Sequence, residues 1–214
     1  MSKKIKVAVI IGTRPDIIKM AIVIAKLKKH PLVDLSVITT AQHRQMFDQM
    51  LKVFSISIDF DLNIMKEDQG LPEVSSRMLV MLSNVIKRSQ PDIVLVQGDT
   101  TTAFIGSLAA FYNKVSVGHI EAGLRTHDKY QPYPEEINRK LISSLSDLHF
   151  ASTKMAKDNL LQEGVKKSSI YVTGNTVIDA LLTVASRKKR RNKQLDDLLH
   201  KAKSKKHKII LVTA

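Results

Sequence analysis

Residues 93–121 read IVLVQGDTTTAFIGSLAAFYNKVSVGHIE, and this stretch decides the fold class. The apolar run 93–97 is short and ends at Gly98 and Asp99, so it reads as a buried strand. Residues 101–112 keep apolar side chains at helical spacing after a threonine-rich turn. Residues 115–121 return to an apolar strand. Strands joined through a helix pair in parallel, because a tight hairpin cannot make that connection. The alternation continues in both directions. Upstream it predicts a strand at 5–11, a helix at 15–29 with Pro15 in its first turn, a strand at 34–40, a helix at 43–53, a short strand at 56–62 and a helix at 71–88. Downstream it predicts a helix from about 134 to 146, a strand at 148–152, a helix at 154–163, a strand at 170–173 and a helix at 176–185. The fold class is therefore α/β: a Rossmann-like parallel sheet with helices on both faces.

Composition narrows the function. The 214 residues are 43% hydrophobic, which suits a folded globular chain. There is no cysteine, which excludes disulfides and thiolate metal sites and fits a reducing compartment. No run approaches the roughly 20 apolar residues of a membrane span. The N-terminal MSKKIKVAVIIGTRP has basic residues before an apolar run, but that run ends at Gly12, Thr13 and Arg14 without a small-residue cleavage pattern. It reads as a first strand, and the expected location is the cytoplasm. The net charge of +14 is concentrated in RKKRRNK (187–193) and KAKSKKHK (201–208). Neither stretch holds an aromatic residue for base stacking, so a solvated helix or linker is expected, not a nucleic-acid surface.

Ligands of an open parallel sheet sit beyond the carboxyl ends of its strands. The residues that follow each predicted strand are therefore the candidates. They are Gly12, Thr13 and Arg14; Gln42, His43 and Arg44; Gly98, Asp99 and Thr100 to Thr102; His119, Glu121 and Arg125; and Gly174, Asn175 and Thr176. IIGTRPD is not a GxGxxG fingerprint, so dinucleotide binding of that kind is not indicated. Its helix N–H groups and Arg14 can face a phosphate, with Lys19 about one and a half turns on. A plain turn with a surface arginine accounts for it equally well. Asp99 and its threonines are ordinary helix caps, but one cap explains one residue, not four. Glu121 follows an apolar strand, where an unpaired carboxylate is costly, and Arg125 is its expected partner. Glu135 and Glu136 open a helix, where negative charge suits the dipole, and Glu135 can pair with Arg139 at i,i+4. His119 and His127 do not make a metal site, and neither metal nor cofactor is expected.

GTRPDIIKMA, TAQHRQMFDQML, QGDTTTAFIGSLAAFY, VGHIEAGLRT, PYPEEINRK, LHFAS and VTGNTVIDALL together resemble the non-hydrolysing bacterial UDP-N-acetylglucosamine 2-epimerases. The resemblance runs from about residue 5 to residue 182 and resumes at KIILVTA. It implies the N-terminal half of a GT-B architecture, with the active site in the cleft between two Rossmann-like halves. It implies interconversion of UDP-N-acetylglucosamine and UDP-N-acetylmannosamine by elimination and re-addition of UDP. Carried over by position, the acid–base carboxylates are Asp99, Glu121 and Glu135. The substrate-binding residues are Arg14, Lys19 and Arg139. A second, regulatory UDP-sugar site uses Gln42 and Gln45. A homodimer is implied, and Asp16 stands where the family commonly has glutamate. The expected organisation is an N-terminal epimerase domain at 1–185, a basic linker or helical region at 186–207, and at 208–214 the first strand of a second domain; these 214 residues alone are expected to be an incomplete enzyme, weakly active or inactive, and a separate C-terminal half is one way to complete it. The alternative is a non-catalytic module that binds UDP-sugar or self-associates.

Overall fold

The computed structural model of the chain describes residues 3–40, 44–64, 69–187, 192–205, 207–210 and 212, with residues 44–46 as backbone only. The elements are β1 (Ile5–Ile11), α1 (Arg14–Lys29), β2 (Val33–Thr39), α2 (Arg44–Phe54), β3 (Phe60–Asp61), α3 (Leu71–Ser89), β4 (Ile93–Gln97), α4 (Thr101–Tyr112), β5 (Ser116–Ala122), α5 (Glu135–Leu145), β6 (Leu148–Ala151), α6 (Lys154–Gln162), β7 (Ile170–Val172), α7 (Thr176–Ala185) and α8 (Lys193–Ser204). The strands form one sheet in the order β3-β2-β1-β4-β5-β6-β7, and every pair is parallel. No helix among the described residues is long and apolar enough to cross a membrane.

Local chemistry sets the element starts. Thr13 caps α1 and Pro15 lies in its first turn, Thr100 caps α4 and Thr153 caps α6. The strands are covered on both faces, as parallel sheets require. Val94 and Val96 turn toward a core built with Met78 and Leu82 of α3 and Ile105 of α4. Leu95, between them, turns toward the opposite core with Ile17 and Met20 of α1 and Phe47 of α2. A smaller core of Ala122, Ala151, Ala156, Leu160 and Ile170 lies under α6.

The chain divides into two compact units, Met1–Leu181 and Leu182–Ala214. The first holds the whole sheet. In the second, α8 occupies most of the basic stretch, capped by the side chain of Asn192, and exposes Leu195 and Leu198. Residues 208–210 and 212 are exposed and pair with no strand among the described residues. The predicted strand at 56–62 shortens to Phe60–Asp61.

Strand order reverses between β1 and β4, which opens a crevice at their carboxyl ends. Gly12 is required there by close approach. A Cβ on it would lie 2.2 Å from Thr102 Oγ1 and 2.5 Å from Thr40 Oγ1. Those two hydroxyls share a hydrogen bond of 2.9 Å, which ties the ends of β2 and α4 behind the glycine.

Candidate active site

Asp99 lies in the turn between β4 and α4, at the crevice. Its carboxylate Oδ2 is 3.3 Å from Arg139 Nη1, and its side chain is 29% exposed. Burial pushes its pKa up. The Arg139 guanidinium opposes this, and the charges of Glu121 and Glu135 reinforce it. A proton on Asp99 is therefore easier to keep than on a solvated aspartate, as a group that gives and takes one requires.

Glu121 occupies a left-handed backbone position, φ 66°, where the register of β5 against β6 slips. Its carboxylate is only 9% exposed and is gripped on both oxygens. Lys19 Nζ and Gln97 Nε2 both reach Oε2. Asn175 Nδ2 donates to Oε1 at 2.9 Å. The sequence points to Arg125 as its partner, but the structure corrects this. Arg125 is buried and donates to both carboxylate oxygens of Glu163, at 2.8 and 2.6 Å, and to Ser143 Oγ at 2.9 Å. Its guanidinium reaches the residue that caps the end of α6 instead of returning to its own strand.

Glu135 opens α5 and borders a groove of about 310 Å³ with Thr13, Thr100, Thr101 and Pro134. The expected surface pair with Arg139 gives way to Glu136. Arg139 Nε donates to Glu136 Oε2 at 2.7 Å, and Nη2 contacts the same oxygen. Glu136 is fully buried. Burial alone would raise its pKa, but the N–H groups of Thr126 and His127, both at 3.1 Å, and the guanidinium outweigh it and hold it at about 2. Glu136 thus aims Arg139 at Asp99 and leaves Glu135 to face the groove.

Arg14 is exposed at the first position of α1. The N–H groups beside it are already engaged, since Gly12 and Thr13 donate to Asp16 Oδ2 at 3.0 and 2.9 Å. Burial raises Asp16 to about 6 against these hydrogen bonds, and its Oδ1 has no partner. Gln42 lies outside the described residues, and Gln45 is described as backbone in α2 only. Among the described residues no group of three His, Asp or Glu side chains could hold a metal. A more enclosed pocket of about 220 Å³, between α1, β2 and residues 54–59, contains none of the candidate residues.

The sheet therefore brings together Lys19, Asp99, Glu121 and Arg139, with Glu135 on the same rim. Gln97 and Asn138 were not foreseen. Gln97 was legible as a polar residue closing an apolar strand. Asn138, which donates to the Asp99 carbonyl at 2.9 Å, had no signal beyond its place between the two groups it serves.

A chain with this geometry has close counterparts. The family model described as UDP-N-acetylglucosamine 2-epimerase matches residues 25–214. The chain is 60% identical to the UDP-N-acetylglucosamine 2-epimerase of Bacillus subtilis over 85% of this chain and 48% of that one. It is 52% identical to a putative UDP-N-acetylglucosamine 2-epimerase of Clostridium acetobutylicum over 99% of this chain and 54% of that one. The crystal structure of the Neisseria meningitidis UDP-GlcNAc 2-epimerase bound to UDP-GlcNAc superposes with a TM-score of 0.82 at 50% identity, covering 94% of this chain and 52% of that one. The chain spans about half the length of the curated relatives it matches. It belongs to the UDP-N-acetylglucosamine 2-epimerase family.

Proposed function

We propose that this chain supplies the N-terminal half of the active site of a UDP-N-acetylglucosamine 2-epimerase, within a two-domain GT-B enzyme. The reaction interconverts UDP-N-acetylglucosamine and UDP-N-acetylmannosamine. One group removes the C2 proton as the C1–oxygen bond to UDP breaks. UDP then adds back while a proton returns to the opposite face of C2. This needs two acid–base groups on different sides of the sugar, and cations for the departing diphosphate. Asp99, Glu121 and Glu135 are the acid–base set. Arg14, Lys19 and Arg139 bind the substrate's charge. Gln42 and Gln45 belong to a regulatory UDP-sugar site. The protein acts in the cytoplasm as a homodimer, without nucleic acid, membrane, metal or cofactor.

The observation that carries this reading is the convergence of Lys19, Asp99, Glu121 and Arg139 at the β1/β4 crevice. The relatives are about twice as long. In this proposal the counterpart of their remaining half, in the same or another polypeptide, closes the cleft and excludes water, which strengthens each charge interaction inside. The same length relation favours a second reading, in which the 214 residues bind UDP-sugar or self-associate without turnover.

A coupled assay for UDP-N-acetylmannosamine conversion, at several protein concentrations, separates the two readings. The first predicts turnover once the counterpart half is supplied, and its loss by at least a hundredfold in Asp99→Asn. Binding of UDP-sugar with no turnover, with or without that half, favours the second.

A further inference from the structure

The proposed reaction gives no task to the buried side chain of His119. His119 lies on β5, opposite Val96 of β4, and its ring is fully buried. Its Nε2 is 2.7 Å from the carbonyl oxygen of Gly98. A carbonyl only accepts, so Nε2 carries the proton and Nδ1 is bare. Burial keeps the ring neutral, with a pKa of about 3. No solvent or substrate reaches this ring, so it is not a catalytic residue.

The carbonyl it holds is the significant part. Gly98 precedes Asp99 and takes a left-handed conformation, φ 69°. Three hydrogen bonds fix the backbone of this turn. Gly98 N–H donates to Ile120 O at 2.9 Å, His119 Nε2–H donates to Gly98 O, and Asn138 Nδ2 donates to Asp99 O at 2.9 Å. One clamp comes from β5, which carries Glu121. The other comes from α5, which carries Glu135 and Arg139. A core histidine that merely satisfied itself would have no reason to share its turn with an amide from a third element.

We propose that His119 and Asn138 are positioning residues that lock the Gly98–Asp99 turn, so that the Asp99 carboxyl stands in fixed relation to Glu121, Glu135 and Arg139. This rests on the reading of Asp99 as an acid–base group. A turn free to rotate would keep the substrate's charge contacts but misplace the carboxyl, and a small misplacement costs rate rather than affinity.

The test uses His119→Gln, whose amide can still donate to Gly98 O, His119→Leu, which cannot, and Asn138→Ala. The first arm needs no turnover. Amide hydrogen exchange at Gly98 accelerates about tenfold or more in His119→Leu and Asn138→Ala, and stays within about twofold of the parent in His119→Gln. The second arm uses the completed enzyme. There kcat falls about tenfold or more in the first two variants with KM within about twofold, and His119→Gln restores most of it. If His119→Leu does not fold, Asn138→Ala against His119→Gln gives the same comparison. Parent-like exchange and kcat in Asn138→Ala overturn the proposal. So does a His119→Gln variant slowed as much as Asn138→Ala, since the donor would then not matter. Exchange that responds as stated in a protein with no turnover upholds the clamp and rejects the acid–base reading of Asp99.

Discussion

Two buried carboxylates show how residue environment sets pH behaviour. Asp16 titrates near 6 in the fold against an ordinary 3.8. Between those values the folded state holds more protons than the unfolded state, so this group's contribution favours the fold at low pH and is lost as pH rises through 6. The gap between the two values corresponds to ~3 kcal/mol. Unfolding free energies of the parent and Asp16→Asn, measured by urea titration, are expected to diverge by about that amount between pH 4 and pH 8, with the variant gaining as pH rises. Glu136 has the opposite sign. Its folded value near 2 stabilises the protein above about 4.5 and is lost as pH falls toward 2. Glu136→Gln leaves Arg139 without its buried counter-charge and is expected to cost about 3–5 kcal/mol at pH 7, read by the same titration. His119 also favours the fold at neutral pH: below 6.5 the unfolded chain takes up a proton on this ring while the folded one stays neutral down to about 3, so the contribution is lost as pH falls through that range. Asp99 and Glu121 were legible in the sequence because they lie at the ends of strands, whereas Glu135 opens a helix and was marked out by the resemblance alone. The partners in the ion pairs were not legible. Arg125 reaches Glu163, and Arg139 reaches back to Asp99, across 38 and 40 residues of chain. A long side chain chooses among elements that only the tertiary fold brings near.

At the scale of elements, hydrophobic period did most of the work. The helix predicted at 71–88 is α3, whose buried stripe Val74, Met78, Leu82, Val85 and Ile86 recurs at three- and four-residue steps. Leu82 is fully buried in that stripe, and Leu82→Ala is expected to cost about 2–5 kcal/mol with little change in the slope of the urea transition. Where the period failed, packing was the reason. Ile56 and Ile58 read as strand residues, but they pack partly buried against the α1 core before the chain reaches β2, leaving Phe60–Asp61 to pair. The stretch IIGTRPD gave the start of α1 correctly. Its consequence for anion binding was hidden, because Asp16 folds back onto the N–H groups of Gly12 and Thr13. Asp16 is part of a capping box with Thr13, so helix initiation and the engagement of the Gly12 and Thr13 N–H groups are one event.

All seven strands are parallel, so their carboxyl ends lie along one edge of the first unit, the edge proposed to hold the site. This was the firmest inference from sequence. Strand–helix alternation implies the parallel sheet, and the sheet gathers Lys19, Asp99 and Glu121 from three separate segments. The convergence makes a claim about binding that does not depend on turnover. The most direct measurement is a two-dimensional amide NMR titration of the 214-residue chain with UDP-N-acetylglucosamine to millimolar concentration. The expected result is shifts centred on Thr13, Gly98 to Thr101, Glu121 and Glu135, abolished in Lys19→Ala with Arg139→Ala. Shifts confined to the pocket between α1 and β2, or no shifts in a folded sample, would contradict the assignment of this edge as the sugar-nucleotide site.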